Sequence, residues 1–200
     1  MRVTDLFETV QSKEELDRLL KKHFRIGGKI EYHNDGSISV NGDVTLIDKS
    51  ITHLPVRFRK VSGNFYCYYT NLTSLEGSPQ KVGSFYCHNT NITSLDGAPE
   101  YVGGFNCYNT PFFKQFLIDE NTQISAVRYL PWQFINILND RNIRITQSVQ
   151  IVAVDIDPEV IADINNPTRM AQLTAVKKNP AVIEYIHNPD PLVLQYLAKK

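Results

Sequence analysis

The phrase Phe65-Tyr66-Cys67-Tyr68-Tyr69-Thr70 returns as Phe85-Tyr86-Cys87-His88-Asn89-Thr90 and as Phe105-Asn106-Cys107-Tyr108-Asn109-Thr110, twenty residues apart each time. A fixed period of that length restricts the chain to a stacked fold, because a unit so short cannot bury its own apolar face and must lean on its neighbours. In the middle copy, Val82, Phe85, Cys87, Thr90, Ile92 and Leu95 follow at spacings of 3, 2, 3, 2 and 3. The copy before it runs Phe65, Cys67, Thr70, Leu72, Leu75, with Val61 one residue further upstream than the pattern expects. The copy after it runs Val102, Phe105, Cys107, Thr110 and stops at Pro111-Phe112-Phe113. A degenerate copy stands at Val44, Leu46, Lys49, Ile51 and Leu54. These make about four units, more than the roughly three a solenoid needs.

Each unit can be read physically. Phe and Cys, two residues apart, leave a strand on the same side and point into the coil. Thr70, Thr90 and Thr110 close the strand where the chain turns, and their hydroxyls can bond backbone groups that the bend leaves unpaired. Glu76-Gly77-Ser78-Pro79 and Asp96-Gly97-Ala98-Pro99 punctuate the return, which is too short for a long helix. Alternation then puts Tyr66, Tyr86 and Asn106 in one outward row, Tyr68, His88 and Tyr108 in the next, and Asn64, Ser84 and Gly104 in a third. These eight side chains and one glycine are expected on the concave sheet face.

The spacing is that of a leucine-rich repeat, L-x-x-L-x-L-x-x-N-x-L-x-x-L, with Thr90 in the Asn place. Residues 36–110 resemble the short repeats of the form L-T-S-L-E-G-x-P-x-x-V-G-x-F-x-C found in proteins of tailed bacteriophages. That resemblance implies a short parallel-sheet solenoid and a viral origin, and it assigns no catalytic residue. Repeats of this length also occur in bacterial effector ubiquitin ligases, where a catalytic cysteine lies in a following helical domain. No cysteine follows Cys107, so that activity is not expected here.

Upstream, Ser12 followed by Glu15 is a capping box, and Leu16, Leu19, Leu20 and Phe24 follow at helical spacing, predicting an amphipathic helix over 13–24 that ends at Gly27-Gly28. Ile30 and Tyr32, then Asn34-Asp35-Gly36, then Ile38 and Val40 predict a hairpin. Together residues 1–42 read as a cap on the first turn of a solenoid spanning 43–110. Downstream the period changes to 22 residues: Pro158-Glu-Val-Ile161-Ala-Asp-Ile164-Asn-Asn166-Pro167 aligns with Pro180-Ala-Val-Ile183-Glu-Tyr-Ile186-His-Asn188-Pro189. Each unit is expected to hold two short helices, with Asp157-Pro158, Asn166-Pro167, Asn179-Pro180 and Asn188-Pro189 at their starts, since Asn or Asp caps free amides and Pro has none to leave unpaired. Residues 145–200 resemble minimal HEAT-like repeats. The apolar stretch 111–144 is expected to close the open end of the solenoid and begin the helical array, joining the two into one body. The fold class is therefore an α+β repeat protein: a helix and hairpin cap, a short leucine-rich-repeat solenoid, and an α-solenoid over 111–200.

The 21 basic and 21 acidic residues cancel, and they cancel again within 1–42, 43–110 and 111–200, so no segment has the basic excess that phosphate-backbone binding needs. The N-terminal residues lack the apolar run of a secretory signal, and no segment approaches the roughly 20 apolar residues of a membrane span, so a cytoplasmic protein is expected. Three cysteines at equivalent positions read as reduced core residues. Cys87 and His88 are adjacent, but neighbours in a strand leave opposite faces, so they cannot act as a nucleophile and base. Nor does a cysteine ladder make a tetrahedral zinc site. His23, His33, His53, His88 and His187 are scattered, no phosphate-cradling glycine loop is present, and Lys177-Lys178 and Lys199-Lys200 sit where they complement helix C-termini.

What remains is recognition. Tyr66, Tyr68, Tyr86, His88, Asn106, Tyr108, Asn64 and Ser84 are the candidate binding residues, because Tyr offers large contact area at little rotamer cost together with a hydroxyl. The expected function is a non-enzymatic protein-binding scaffold that captures a host or phage protein, needing no cofactor, metal, nucleic acid or membrane. A virion or assembly component is the alternative, and nucleic-acid binding by the helical repeats a weaker one.

Overall fold

The computed structural model describes residues 12–199; the first eleven residues of the expected cap, and with them the reading of the N-terminal segment, lie outside the described residues. The chain divides into two compact units, one through Lys114 and one from Gln115.

The first unit is a solenoid of about three turns around a parallel sheet. Helix α1 (Lys13–His23) is capped by Ser12, whose hydroxyl accepts the Glu15 N–H, and it buries Leu16 and Leu20. The helix stops earlier than the spacing predicts. Phe24 begins a strand, β1 (Phe24–Ile26), that pairs antiparallel with β4 (Val44–Leu46). The expected hairpin is present as β2 (Lys29–Tyr32) and β3 (Ile38–Asn41), with Gly36 at φ 75° in the turn. Strand β3 also pairs parallel with β5 (Phe58–Val61), so it closes the hairpin and begins the stack at once.

Beyond it, β4 pairs with β6 (Phe65–Tyr66), β6 and β5 with β7 (Lys81–Tyr86), and β7 with β8 (Tyr101–Asn106), all parallel. Phe65 lies opposite Phe85 and Phe85 opposite Phe105, which is the register the repeat requires. The displaced Val61 has a simple cause. Val40 to Val44 and Val61 to Phe65 each span four residues, whereas Val82 to Phe85 and Val102 to Phe105 span three. The extra residue is taken up at Asn41-Gly42-Asp43 and Ser62-Gly63-Asn64, where Ser62 Oγ donates to Asn41 Oδ1 at 2.9 Å and Asn64 N to Asp43 Oδ1 at 2.7 Å. The strands break there, while β7 and β8 run through.

Inside the coil a file of rings runs from the cap to the last turn: Phe24, Phe58, Phe65, Phe85 and Phe105, with successive centroids 5.2, 5.1, 5.2 and 5.9 Å apart. Cys67 and Cys87 are fully buried beside them, and Cys107 nearly so. Each return contains a turn in which Leu75 O accepts the Ser78 N–H and Leu95 O the Ala98 N–H, with Gly77 at φ 88° and Gly97 at φ 79°. That positive φ is why glycine follows the acidic residue in both copies. After Thr110 the chain enters α2 (Pro111–Phe116), and Phe112, bonded through its N–H to Ile92 O, takes the place that Leu72 and Ile92 hold in earlier turns.

The second unit is helical. After α3 (Glu120–Tyr129) and α4 (Pro131–Asp140) it alternates α5 (Gln147–Ile156), a 3₁₀ segment Pro158–Asp163, α6 (Arg169–Lys178), a second 3₁₀ segment Pro180–Tyr185, and α7 (Pro191–Ala198). Asp157 and Asn179 cap the 3₁₀ segments as the Asn/Asp-Pro spacing predicts. The other two Asn-Pro pairs do not start helices. Thr168 and Asp190 are the caps of α6 and α7, two residues further on, and Asn166 takes a left-handed φ of 56° before the turn. The array begins within 111–144. Gln123, Ala126 and Val127 of α3 are buried like Gln150, Ala153 and Val154 of α5 and Gln172, Ala175 and Val176 of α6, so α3 with α4 resembles an additional, longer unit.

Candidate interaction surface

The side chains between the buried phenylalanines and cysteines face outward, as alternation demands. Tyr66 and Tyr86 are half-buried and stacked, centroids 5.1 Å apart and planes 12° from parallel. Tyr68 and His88 stack at 4.8 Å and 13° in the next row. Tyr66 meets Tyr68 edge-on at 6.0 Å, so the two files form one continuous aromatic block. Asn64 Nδ2 donates to the Tyr66 hydroxyl at 3.0 Å, and Asn106 Oδ1 accepts the Tyr108 N–H at 3.1 Å. Tyr108, 42% exposed, packs edge-on against Phe113 at 4.6 Å. Ser84 stands beside Gly104, whose missing Cβ would come 3.0 Å from the Ser84 hydroxyl.

One residue escaped the alternation rule. Tyr69 is 58% exposed and packs edge-on against His88 at 5.6 Å, in the same patch as Tyr68. Its φ is 54°, matched by 55° at Asn89 and Asn109, so the chain leaves extended geometry at this point in each turn. The asparagines were the available signal, since Asn tolerates the left-handed region and Tyr does so at a cost. Asn109 Nδ2 donates to Asn89 Oδ1 at 2.5 Å, extending the polar row.

The geometry decides what this surface offers. Stacking covers one face of each ring in the two pairs, and the rows present rings, hydroxyls and amides at a repeat of roughly 4.8 Å set by the sheet. Burial pushes the His88 imidazole below its usual pKa of 6.5, leaving it neutral at pH 7, and its Nδ1 has no partner among the described residues.

The thiols below are of a different character. Burial pushes all three pKa values up, that of Cys107 to about 12, and the neighbouring thiols raise Cys87 further. Cys67 Sγ donates to Tyr86 O and Cys87 Sγ to Asn106 O, each at 3.4 Å. Such thiols are not nucleophilic thiolates near neutrality. Among the described residues no group of three or more His, Cys, Asp or Glu side chains is placed to hold a metal ion, and no helix is long and apolar enough to cross a membrane.

Comparison with protein-family models, with curated proteins and with solved structures found no match to this chain.

Proposed function

We propose that the protein is a non-enzymatic recognition scaffold, a short leucine-rich-repeat-type stack followed by HEAT-like helix pairs, that binds another protein through the tyrosine rows. The observation that carries this reading is the joined block Tyr66, Tyr68, Tyr69, Tyr86 and His88, in which Tyr68 and Tyr69 are 40% and 58% exposed. An aromatic ladder can serve only to stabilise neighbouring strands. That role needs no hydroxyl, and it does not explain Tyr69, which lies outside the ladder. Exposed Tyr among Asn and His supplies anchors of low rotamer entropy in a wet, hydrogen-bonding interface. The resemblance of the repeats to those of tailed phages supports a phage-encoded protein whose partner is a host protein of defence or regulation.

Affinity capture from infected cells tests it. Replacing Tyr66, Tyr86 and Tyr108 together by Ala should abolish capture of the specific partner, with the circular dichroism spectrum retained. Undiminished capture by the folded variant would refute the surface.

A further inference from the structure

The tyrosine rows stand where the strands end; a separate feature lies where they begin, in the last turn of the stack. Strand β8 repeats the burial of β7 residue by residue with one exception: Val82 is buried, whereas Val102 is half-exposed. The return before it differs in the same way. Leu75 and Ser78 are buried, while their equivalents Leu95 and Ala98 are half-exposed. Register sets Val102 against Val82, so Val102 covers its predecessor and has no successor to cover it. The other corner of this turn is closed. Ile92, Phe105, Cys107 and Thr110 are buried, and Phe112 and Phe113 enter the core there, Phe112 N–H on Ile92 O at 2.9 Å and Phe113 N–H on Thr110 Oγ1 at 3.0 Å. The last turn is therefore capped at one corner and left apolar and open at the other.

The backbone beside this opening is unmatched as well. Among the described residues β8 pairs with β7 alone. In a parallel strand alternate residues turn their N–H and C=O to opposite neighbours, so part of the main chain of 101–104 faces no described strand. Charge is the usual guard of such an edge. The sheet's other two edges have it, Arg25 on β1 and Lys29 and Glu31 on β2. Strand β8 carries no charged residue, and in the row of Lys60 and Lys81 it places Tyr101, 66% exposed.

We propose that this edge accepts an extended segment of a partner protein as one further parallel strand, with an aliphatic side chain of that segment covering Val102 and Leu95. The stack itself specifies the occupant: continuing the register that joins β7 to β8 puts an apolar residue against Val102. Main-chain bonds along the edge supply affinity, and the apolar corner selects the side chain. Because the corner at Phe105 is already closed, the added strand is short and matched to 101–104. A second copy of the chain fits less well. Its β8, brought up by a two-fold axis, would run antiparallel and break the register. The edge is independent of the tyrosine rows and stands or falls without them.

The test is a titration of the full chain with an acetylated, amidated peptide of its own residues 75–84, which mimics one further turn by bringing a copy of Leu75 to Leu95 and of Val82 to Val102. NMR follows the amides of Val102, Gly103 and Gly104. Saturable shifts there, with slowed hydrogen exchange, are expected. The peptide carrying Val82→Asp should bind about tenfold more weakly, the loss of one buried aliphatic side chain. Because that change lies in the peptide, the fold of the protein is untouched. Non-saturable shifts, an affinity within about threefold for the two peptides, or saturable shifts confined to the tyrosine rows would each overturn the assignment. So would shifts of the same three amides on concentrating the protein alone, with a dimer in sedimentation, since a second copy would then occupy the edge.

Discussion

Gln172 Oε1 accepts the N–H of Asp190, eighteen residues ahead, at 2.8 Å, while its Nε2 donates to Pro167 O at 3.0 Å. Gln150 does the same one unit earlier, accepting from Thr168 N–H at 2.8 Å and donating to Ile145 O at 3.1 Å. Asp190 and Thr168 are helix caps, so each buried amide clasps one helix start to the next and is the polar link that repeats through the array. Replacing Gln150 by Leu leaves the Thr168 N–H and Ile145 O without their partner at a partly buried site and should lower stability by about 1–3 kcal/mol. Urea denaturation measures it; a loss under about 1 kcal/mol would show the clasp to be dispensable.

Threonine at the repeat corner has two roles. Thr90 Oγ1 donates to Cys87 O at 2.7 Å. Thr110 Oγ1 donates to Cys107 O at 2.8 Å and also accepts the Phe113 N–H at 3.0 Å, turning the corner residue into the cap of α2. Thr110→Val should therefore cost about 1 kcal/mol more than Thr90→Val, the usual worth of a cap. Equal losses in thermal or chemical denaturation would remove the capping role.

These two devices also show what the residues disclosed and what they hid. Period-two alternation placed Phe65, Cys67, Phe85 and Cys87 inside and the tyrosines outside, because a strand side chain has only two directions to take. Fixed periodicity failed where spacing drifted. Gln123-Ile-Ser-Ala126-Val127 matches Gln150-Ile-Val-Ala153-Val154 and Gln172-Leu-Thr-Ala175-Val176, but it lies 27 residues ahead of its successor rather than 22, so the array is expected to begin within 111–144 without this unit being aligned to the others. Phe24 continues the helical spacing of Leu16 and Leu20, which masked strand β1; its pairing with Val44–Leu46 is a tertiary event that no local pattern records. In the candidate surface, alternation gave the rows but not the stacking of Tyr66 on Tyr86, nor the left-handed turn that exposes Tyr69.

Hydroxyl and ring make separable contributions in the tyrosine files. Changing Tyr66 and Tyr86 to Phe keeps the 5.1 Å stack and should leave the melting temperature within a few degrees, whereas the double Ala variant loses an aromatic pair worth roughly 0.5–1.5 kcal/mol beyond its buried area. If the hydroxyls contact the partner, the Phe variant should still bind about tenfold more weakly, one or two hydrogen bonds' worth. Unchanged affinity would assign recognition to ring edges instead.

The buried thiols make stability depend on alkaline pH with a defined sign. Cys107 has its pKa pushed up to about 12 by burial, against an ordinary value of 9.0, so the folded chain keeps a proton that the unfolded chain releases. Below pH 9 both states are protonated and the thiol adds no pH dependence. Between about 9 and 12 the unfolded state binds fewer protons, and each rise of one pH unit should cost roughly 1.4 kcal/mol from this group alone. The quantity to measure is the difference in slope between the parent and Cys107→Ala across pH 9.5–11.5, which isolates this thiol. A shallower slope in the variant is expected; parallel slopes would mean that the Cys107 thiol ionises in the folded coil as readily as it does in water.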